Sequence, residues 1–461
     1  MLDFSFEPYR EEMIQTLKDF IKIESVRTEP HLNMPYGKGI FDALMFVQSE
    51  SERMDLECVN LFGQMAYVEY GFSDEMLAIL VHIDVVPKGD GWTMDAFAGI
   101  EHDGKIYGRG AIDNKGPAIA SLFAIRALSD NCIQLNKKVR LIFGTDEETG
   151  WGDMQFYKQH EPEPDIAFSP DGEYPVINTE KGLVHLALSV DYEPSTQGIY
   201  IHSFNAGTRP NVVPNSAHCE ISAPLELIQK SIGAYTCPKG GVFSAEQAGE
   251  FVRINALGKS SHGSRPDDGI NAAASLITYL GTLPLANGKL EMSIHKMAEK
   301  IGVNYHGEMM DLDLTDDVSG RLTFNLGTVN TADNKLTFEL DIRYPVSEQK
   351  QAIMDKVAAH LRDFDMRIVH SLPSHHVSEG SELVVKLKEA YSEVTGDEAY
   401  CVSIGGATYA RAFENAVTFG PLFPGKPSVE HGPDEYIEIE TLMLNAEIIA
   451  NAIIKLCEQT S

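Results

Sequence analysis

The chain is 461 residues long, too long for one ordinary hydrophobic core, so two or three domains are expected. Its 43% apolar and 23% charged residues are the balance of a soluble globular protein. With 37 basic against 68 acidic side chains the formal net charge is -31, a field that repels phosphate backbones and anionic lipid and sets aside nucleic-acid and membrane partners.

The first residues, MLDFSFEPYREEMIQTLKDF, carry acids early and read as the start of an amphipathic helix, not as a basic and then apolar leader. Helical patterning covers roughly 8–25 and 41–54. MLAILVHIDVVP (76–87) is a continuous apolar run, as expected of a strand buried on both faces. After a Gly-rich loop, GPAIASLFAIRALSD (116–130) is helical, with Gly and Pro at its start. KVRLIFGTDEE (138–148) reads as another buried strand and PDIAFSPDGE (164–173) as a shorter one. This alternation predicts an α/β domain, a mostly parallel sheet covered by helices.

From about 182 the texture changes to alternating strands (VHLALSV, AHCEISA, EFVRINA, LTFEL), with amphipathic helices INAAASLITYLGTL (270–283) and EQKQAIMDKVAAHLRDF (348–364) among them. After about 372 the α/β texture returns, with a helix near 381–395, the loop Gly405-Gly406 and a final helix from 440. The expected architecture is one α/β domain in two parts, 1–181 and 372–461, interrupted by an inserted α+β domain, 182–371. Inside the insert FNAGT (204–208) recurs as FNLGT (324–328), each followed by a turn and a strand, as an insert of two related halves would show. The six cysteines, Cys58, Cys132, Cys219, Cys237, Cys401 and Cys457, are scattered and form no CxxC pair, so they read as reduced thiols of a cytoplasmic protein.

Three of the apolar strands run into side chains that can bind metal: His82-Ile83-Asp84, Asp146-Glu147-Glu148 and Ser169-Pro170-Asp171. In open α/β sheets ligands gather at the carboxyl ends of the strands, so these groups are expected to converge on one crevice. Asp113 in GRGAIDNKGP opens the next helix, and His431 in VEHGPDEY comes from the returning segment. Each alone has an ordinary explanation: a hydrogen-bonded histidine, solvated acids, a helix N-cap. Together they put ionisable groups at the ends of successive buried strands, where such groups must be paired or metal-bound.

The residue types fit two divalent ions sharing a carboxylate. Imidazole with carboxylate suits Zn2+, and a carboxylate-rich set also admits Mn2+ or Co2+. Strand alternation puts His82 and Asp84 on one face, where Asp84 can orient the imidazole or its surroundings. Of Glu147 and Glu148, one can bind metal and the other stay free as a base.

HIDVVP, GRGAIDNKGP, GTDEETG, SPDGEYP, GGATYAR and EHGPDEY, in this order from near 76 to near 436, resemble the motifs of the M20 metallopeptidases, most of all the bacterial dipeptidases of the PepV type. No motif position is substituted. The resemblance implies one ion held by His82, Asp113 and Asp171 and another by Asp113, Glu148 and His431, with Asp84 as the orienting aspartate and Glu147 as the general base. It makes the insert a lid over a catalytic domain. In that lid, Asn211 in RPNVVPN and His262 in SSHGSRP would reach over the site, and His262 would stabilise the oxyanion. Arg343 in DIRYP would grip the substrate's terminal carboxylate, and Gly406 would supply a backbone contact.

The implied reaction is the hydrolysis of dipeptides, with a metal-bridging water as nucleophile. Dimeric members complete each site with lid residues of a neighbouring subunit. The lid here is long for the family, so the expectation is a monomer whose lid imitates a dimer. Two competing readings are a deacylase of N-acyl amino acids, of the acetylornithine or succinyl-diaminopimelate type, and a non-catalytic metal-binding protein on the same fold. The intact DEE pair argues against the second.

Overall fold

The apolar run MLAILVH forms the strand Met76–His82, buried along its whole length, in a computed structural model that describes residues 4–457. Residues 1–3 and 458–461, the outer ends of the two expected catalytic segments, lie outside the described residues. The chain divides into two units, Met1–Asn178 with Val377–Val402 and Ala407–Ser461, and Thr179–His376 with Ser403–Gly406.

In the first unit the sheet order is Cys58–Leu61, Met65–Tyr70, Lys138–Gly144, Met76–His82, Ile166–Ser169, Ala416–Thr418 and Val176–Glu180. The strands from Lys138–Gly144 to Ala416–Thr418 are parallel, and those flanking them are antiparallel. Successive side chains of Met76–His82 enter different cores. Leu77, Ile79 and Val81 join the cluster that holds the helices Lys115–Asp130 and Ile439–Cys457, while Ala78 and Leu80 pack with Ile142, Met154 and Tyr409. A strand covered on both faces has no use for polar alternation, which is why its sequence reads as one apolar run.

The helix Lys115–Asp130 is apolar all round for the same reason, since it packs against the sheet and against the helices Arg10–Ile21 and Ile439–Cys457. Arg10–Ile21 is shorter than the 8–25 patterning predicts. The buried Lys115 meets its end, donating from Nζ to the carbonyls of Phe20 (3.2 Å) and Ile23 (2.6 Å).

The second unit is built on an antiparallel eight-stranded sheet. Its order is Val242–Ala248, Phe251–Leu257, Ser216–Ile221, Ile201–Ala206, Thr323–Ala332, Lys335–Tyr344, Gly182–Asp191 and Asp365–Leu372. Read outward from the middle, both halves run alike: a strand, its hairpin partner, a strand from elsewhere, and an edge strand reached through a helix (Leu225–Ala234 in one half, Lys350–His360 in the other). The α/β fold with a parallel sheet centre and a separate antiparallel domain is thus the fold of this chain. Among the described residues no helix is long and apolar enough to cross a membrane.

The strands that carry FNAGT and FNLGT meet at the middle of this sheet, where Asn205 pairs with Asn330 and Ala206 with Val329, just beyond FNLGT. Both glycines are required there. A Cβ on Gly207 (φ +68) would lie 1.8 Å from the Gly327 carbonyl oxygen, and one on Gly327 would lie 2.3 Å from Pro210 Cα. Gly207→Ala is expected to cost about 2–5 kcal/mol, the sum of left-handed backbone strain and a displaced neighbour. Urea denaturation of the two proteins side by side measures it, and an unchanged midpoint would contradict the close approach.

Candidate metal centre and substrate residues

All five expected ligands lie in the first unit, and the structure brings them together. His82 follows Leu80 onto the same sheet face, so its ring stands edge-on to Tyr409, centroids 6.3 Å apart. Its Nδ1 faces the Asp84 carbonyl at 2.9 Å, which directs Nε2 to Asp113 Oδ1 (2.9 Å) and Asp171 Oδ1 (3.5 Å). His431 Nε2 lies 3.0 Å from Asp113 Oδ2 and 3.1 Å from Glu148 Oε1. Each oxygen of Asp113 therefore faces a different imidazole. In both groups, His82–Asp113–Asp171 and Asp113–Glu148–His431, the potential ligand atoms lie within 4.8 Å of one another.

The strand expected over 138–148 stops at Gly144, and Glu147 and Glu148 sit in a turn beyond it. Asp84 makes that turn. Its two carboxylate oxygens accept the backbone N–H groups of Glu147 (3.2 Å) and Glu148 (3.1 Å). His82 Nδ1 donates its orienting hydrogen bond to the Asp84 backbone carbonyl, and the nearer Asp84 carboxylate oxygen is 3.5 Å away. Asp146 is turned away, accepting from Gly152 N–H (2.9 Å) and pairing with Arg27. Among the described residues no hydrogen bond ends on the Glu147 carboxylate.

Burial, then the charge of Asp171, pushes the Glu147 carboxyl well above the usual range. Burial, then Asp113, raises Glu148, and burial raises Asp171 despite the pull of His82. Burial also opposes the charge of Asp113, but hydrogen bonds from His431 and His82 outweigh it and hold that carboxyl below its usual range. Burial would lower both histidines, yet the acids win: His82 rises well above its usual value and His431 is pushed up to about 11. Two sets of one imidazole and two carboxylates, crowded until some acids resist ionising, suit divalent cations by donor chemistry and by charge.

A pH dependence follows. The acids around them hold protons on both imidazoles more firmly than usual, and an ion needs the rings neutral, so binding releases protons and strengthens as pH rises. Titration calorimetry of Zn2+ in two buffers of different ionisation enthalpy should show proton release at pH 7. Equal heats in both buffers would contradict it.

The expected substrate residues lie in the second unit and form a contiguous group there. His262 Nδ1 lies 2.6 Å from the Ser264 hydroxyl oxygen and 3.2 Å from the Ser264 N–H. Gly263 N–H donates to the Asn211 carbonyl at 2.7 Å. Gly405 packs so closely on Ser264 that a Cβ there would lie 2.6 Å from the Ser264 Cβ.

Arg343 is buried. Its Nε and Nη2 donate to the two oxygens of Asp341 (2.6 and 2.7 Å), and Nη1 donates to the Gly405 carbonyl. Of five guanidinium N–H groups, two have no partner among the described residues. Asp341, which also faces His185 Nε2 at 3.2 Å, is pushed up by burial, but Arg343 and His185 outweigh this and hold it at about 2.

A sequence model of peptidase family M20/M25/M40 matches residues 78–455. The chain belongs to that family. It is a metallopeptidase, and so a hydrolase. It is similar to "Putative dipeptidase YtjP" of Bacillus subtilis (strain 168), 35% identical over 97% of this chain and 98% of that one. It is also similar to the "Beta-Ala-Xaa dipeptidase" of Lactobacillus delbrueckii subsp. lactis, 31% identical over 98% of this chain and 97% of that one. Human carnosine dipeptidase 1 shares the fold, with a TM-score of 0.63 at 16% identity over 98% of both chains.

Three residues of this M20 peptidase escaped the sequence reading although they lie in or beside its motifs. Asn114, next to Asp113, donates from Nδ2 to the Pro170 carbonyl (2.7 Å) and Asp171 Oδ1 (3.0 Å), which fixes Asp171. Glu435, in EHGPDEY, accepts four hydrogen bonds around Asp113. Asn325, in FNLGT, donates to the carbonyls of Pro210 (2.8 Å) and Val212 (3.0 Å) and so holds the loop of Asn211. For Asn325 the FNxGT repeat was the signal.

Proposed function

We propose that this M20 metallopeptidase hydrolyses dipeptides with two divalent ions, one held by His82, Asp113 and Asp171 and the other by Asp113, Glu148 and His431. The observation that carries the reading is the division of Asp113, whose Oδ1 faces His82 and whose Oδ2 faces His431. Bound there, divalent ions supply a polarised scissile carbonyl and water of lowered pKa. The donor chemistry favours Zn2+, with Mn2+ or Co2+ as substitutes.

The chain's own groups do the rest. Glu147 takes the proton of the attacking water and returns it to the leaving nitrogen. Its support is a carboxylate engaged by no hydrogen bond, on a backbone fixed through Asp84. In the second unit, read as the lid, His262 Nε2–H donates to the oxyanion, Asn211 and Gly406 contact substrate, and Arg343 takes the terminal carboxylate with its two remaining N–H groups. That two relatives bear dipeptidase names supports the substrate class. The two alike halves of the second sheet support a monomer, and six free cysteines support a cytoplasmic setting.

Turnover of a panel of free dipeptides and N-acetyl amino acids, with and without chelator, tests the reading. Chelator-sensitive cleavage of the dipeptides is expected. Cleavage of the N-acetyl compounds alone would move the chain to the deacylases. Arg343→Lys, which keeps a cation beside Asp341, should raise KM for free dipeptides about tenfold or more and leave C-terminally amidated ones nearly unchanged. Equal losses on both would remove Arg343 from carboxylate binding.

A further inference from the structure

We propose that Arg109 and Glu435 form a positioning strut that couples the loop of Asp113 to the loop of His431 and sets the affinity of the ion held by Asp113, Glu148 and His431. The proposal rests on the two-ion reading above.

Both side chains are fully buried, at 1% and 0% exposure, and Arg109 Nη1 donates to Glu435 Oε2 at 2.6 Å. The same oxygen accepts Gly110 N–H (3.1 Å), and Oε1 accepts the N–H groups of Ile112 (3.0 Å) and Asp113 (3.2 Å). One carboxylate thus fixes the backbone turn from which Asp113 projects. Arg109 reaches the other way. Its Nη2 donates to the carbonyls of Lys88 (3.1 Å) and of His431 itself (3.3 Å), and its guanidinium lies over the Trp92 ring.

The His431 loop needs such an anchor. His431 (φ +61) and Asp434 (φ +53) are both non-glycine residues in the left-handed region, a conformation that persists only where the surroundings impose it. The His431 side chain is 54% exposed, so packing does not hold it. Its backbone is held instead, by Arg109 and by Asp434, which accepts Thr93 N–H and Oγ1–H, both at 2.8 Å.

The other ligand group has separate supports: the Asp84 carbonyl holds His82 and Asn114 holds Asp171. Losing the strut should therefore weaken the two ions unequally. A buried ion pair is also weak evidence for stability, because desolvation offsets most of its attraction, so its use here is geometric.

Zn2+ titrations of the metal-stripped full chain against a chromophoric chelator resolve the two affinities. In Glu435→Gln, whose amide must turn N–H toward a donor, both ions should bind more weakly because Asp113 serves both, and the ion held with Glu148 and His431 should lose the larger factor, about 10–100-fold. Arg109→Lys, which keeps the cation but loses the fork, should give the same split with a smaller loss. Equal weakening of both ions, or no weakening, would overturn the strut. If Glu435→Gln does not fold by circular dichroism, the Arg109→Lys titration decides. Failure of the underlying reading looks different: the unmodified chain would bind fewer than two ions, or His431→Ala would still bind both tightly.

Discussion

Glu147→Gln is expected to keep both ions bound and to lower kcat about 10²–10⁴-fold, the range that one positioned general base contributes. The substitution is close to isosteric, and the Glu147 backbone stays anchored on Asp84. Nothing else in the cluster loses a partner, because the Glu147 carboxylate is in neither ligand group. The effect should therefore fall on kcat, with KM little changed, as for an interaction made mainly in the transition state. Kinetics on one dipeptide, together with metal analysis of the same sample, checks it. Near-native turnover with two ions bound would remove Glu147 from its role.

Asp113→Asn should be more damaging and in a different way. Asp113 is the one residue in both groups, and its hydrogen bonds also hold His431 charged in the ion-free cluster. Both ions should weaken by more than the roughly 10–100-fold that losing an outer partner costs. His431→Ala should weaken only the ion held with Glu148. Chelator-competition titration separates the cases. If Asp113→Asn and His431→Ala lost the same single ion, Asp113 would not be shared.

Much of this was legible in the sequence, for physical reasons that can be named. The strand Met76–His82 announced itself because burial on both faces demands an unbroken apolar run. The convergence of His82, Glu148 and Asp171 was readable because parallel strands deliver their ends to one edge of a sheet, whereas Asp113 and His431, which lie in loops, were assigned through the motif resemblance. The division of labour around Asp84 was not readable. Whether a carboxylate orients an imidazole or accepts backbone N–H groups depends on a turn, and Asp84 accepts two N–H groups of the turn at Glu147-Glu148.

Arg109 and Glu435 are 326 residues apart, and no local pattern announces a pairing across that distance. Asp341 beside Arg343 was within reach, since residues two apart on a strand share a face. The helix Leu225–Ala234 buries only Ile228, too little of an apolar stripe to stand out among strands.

The measurement that bears most directly on the central claim is dipeptide turnover by the metal-stripped chain as Zn2+ is added back in known ratio. Negligible rate is expected without Zn2+, with a rise to full rate that breaks at two ions per chain. Full activity without added metal, or a break at one ion per chain, would contradict it.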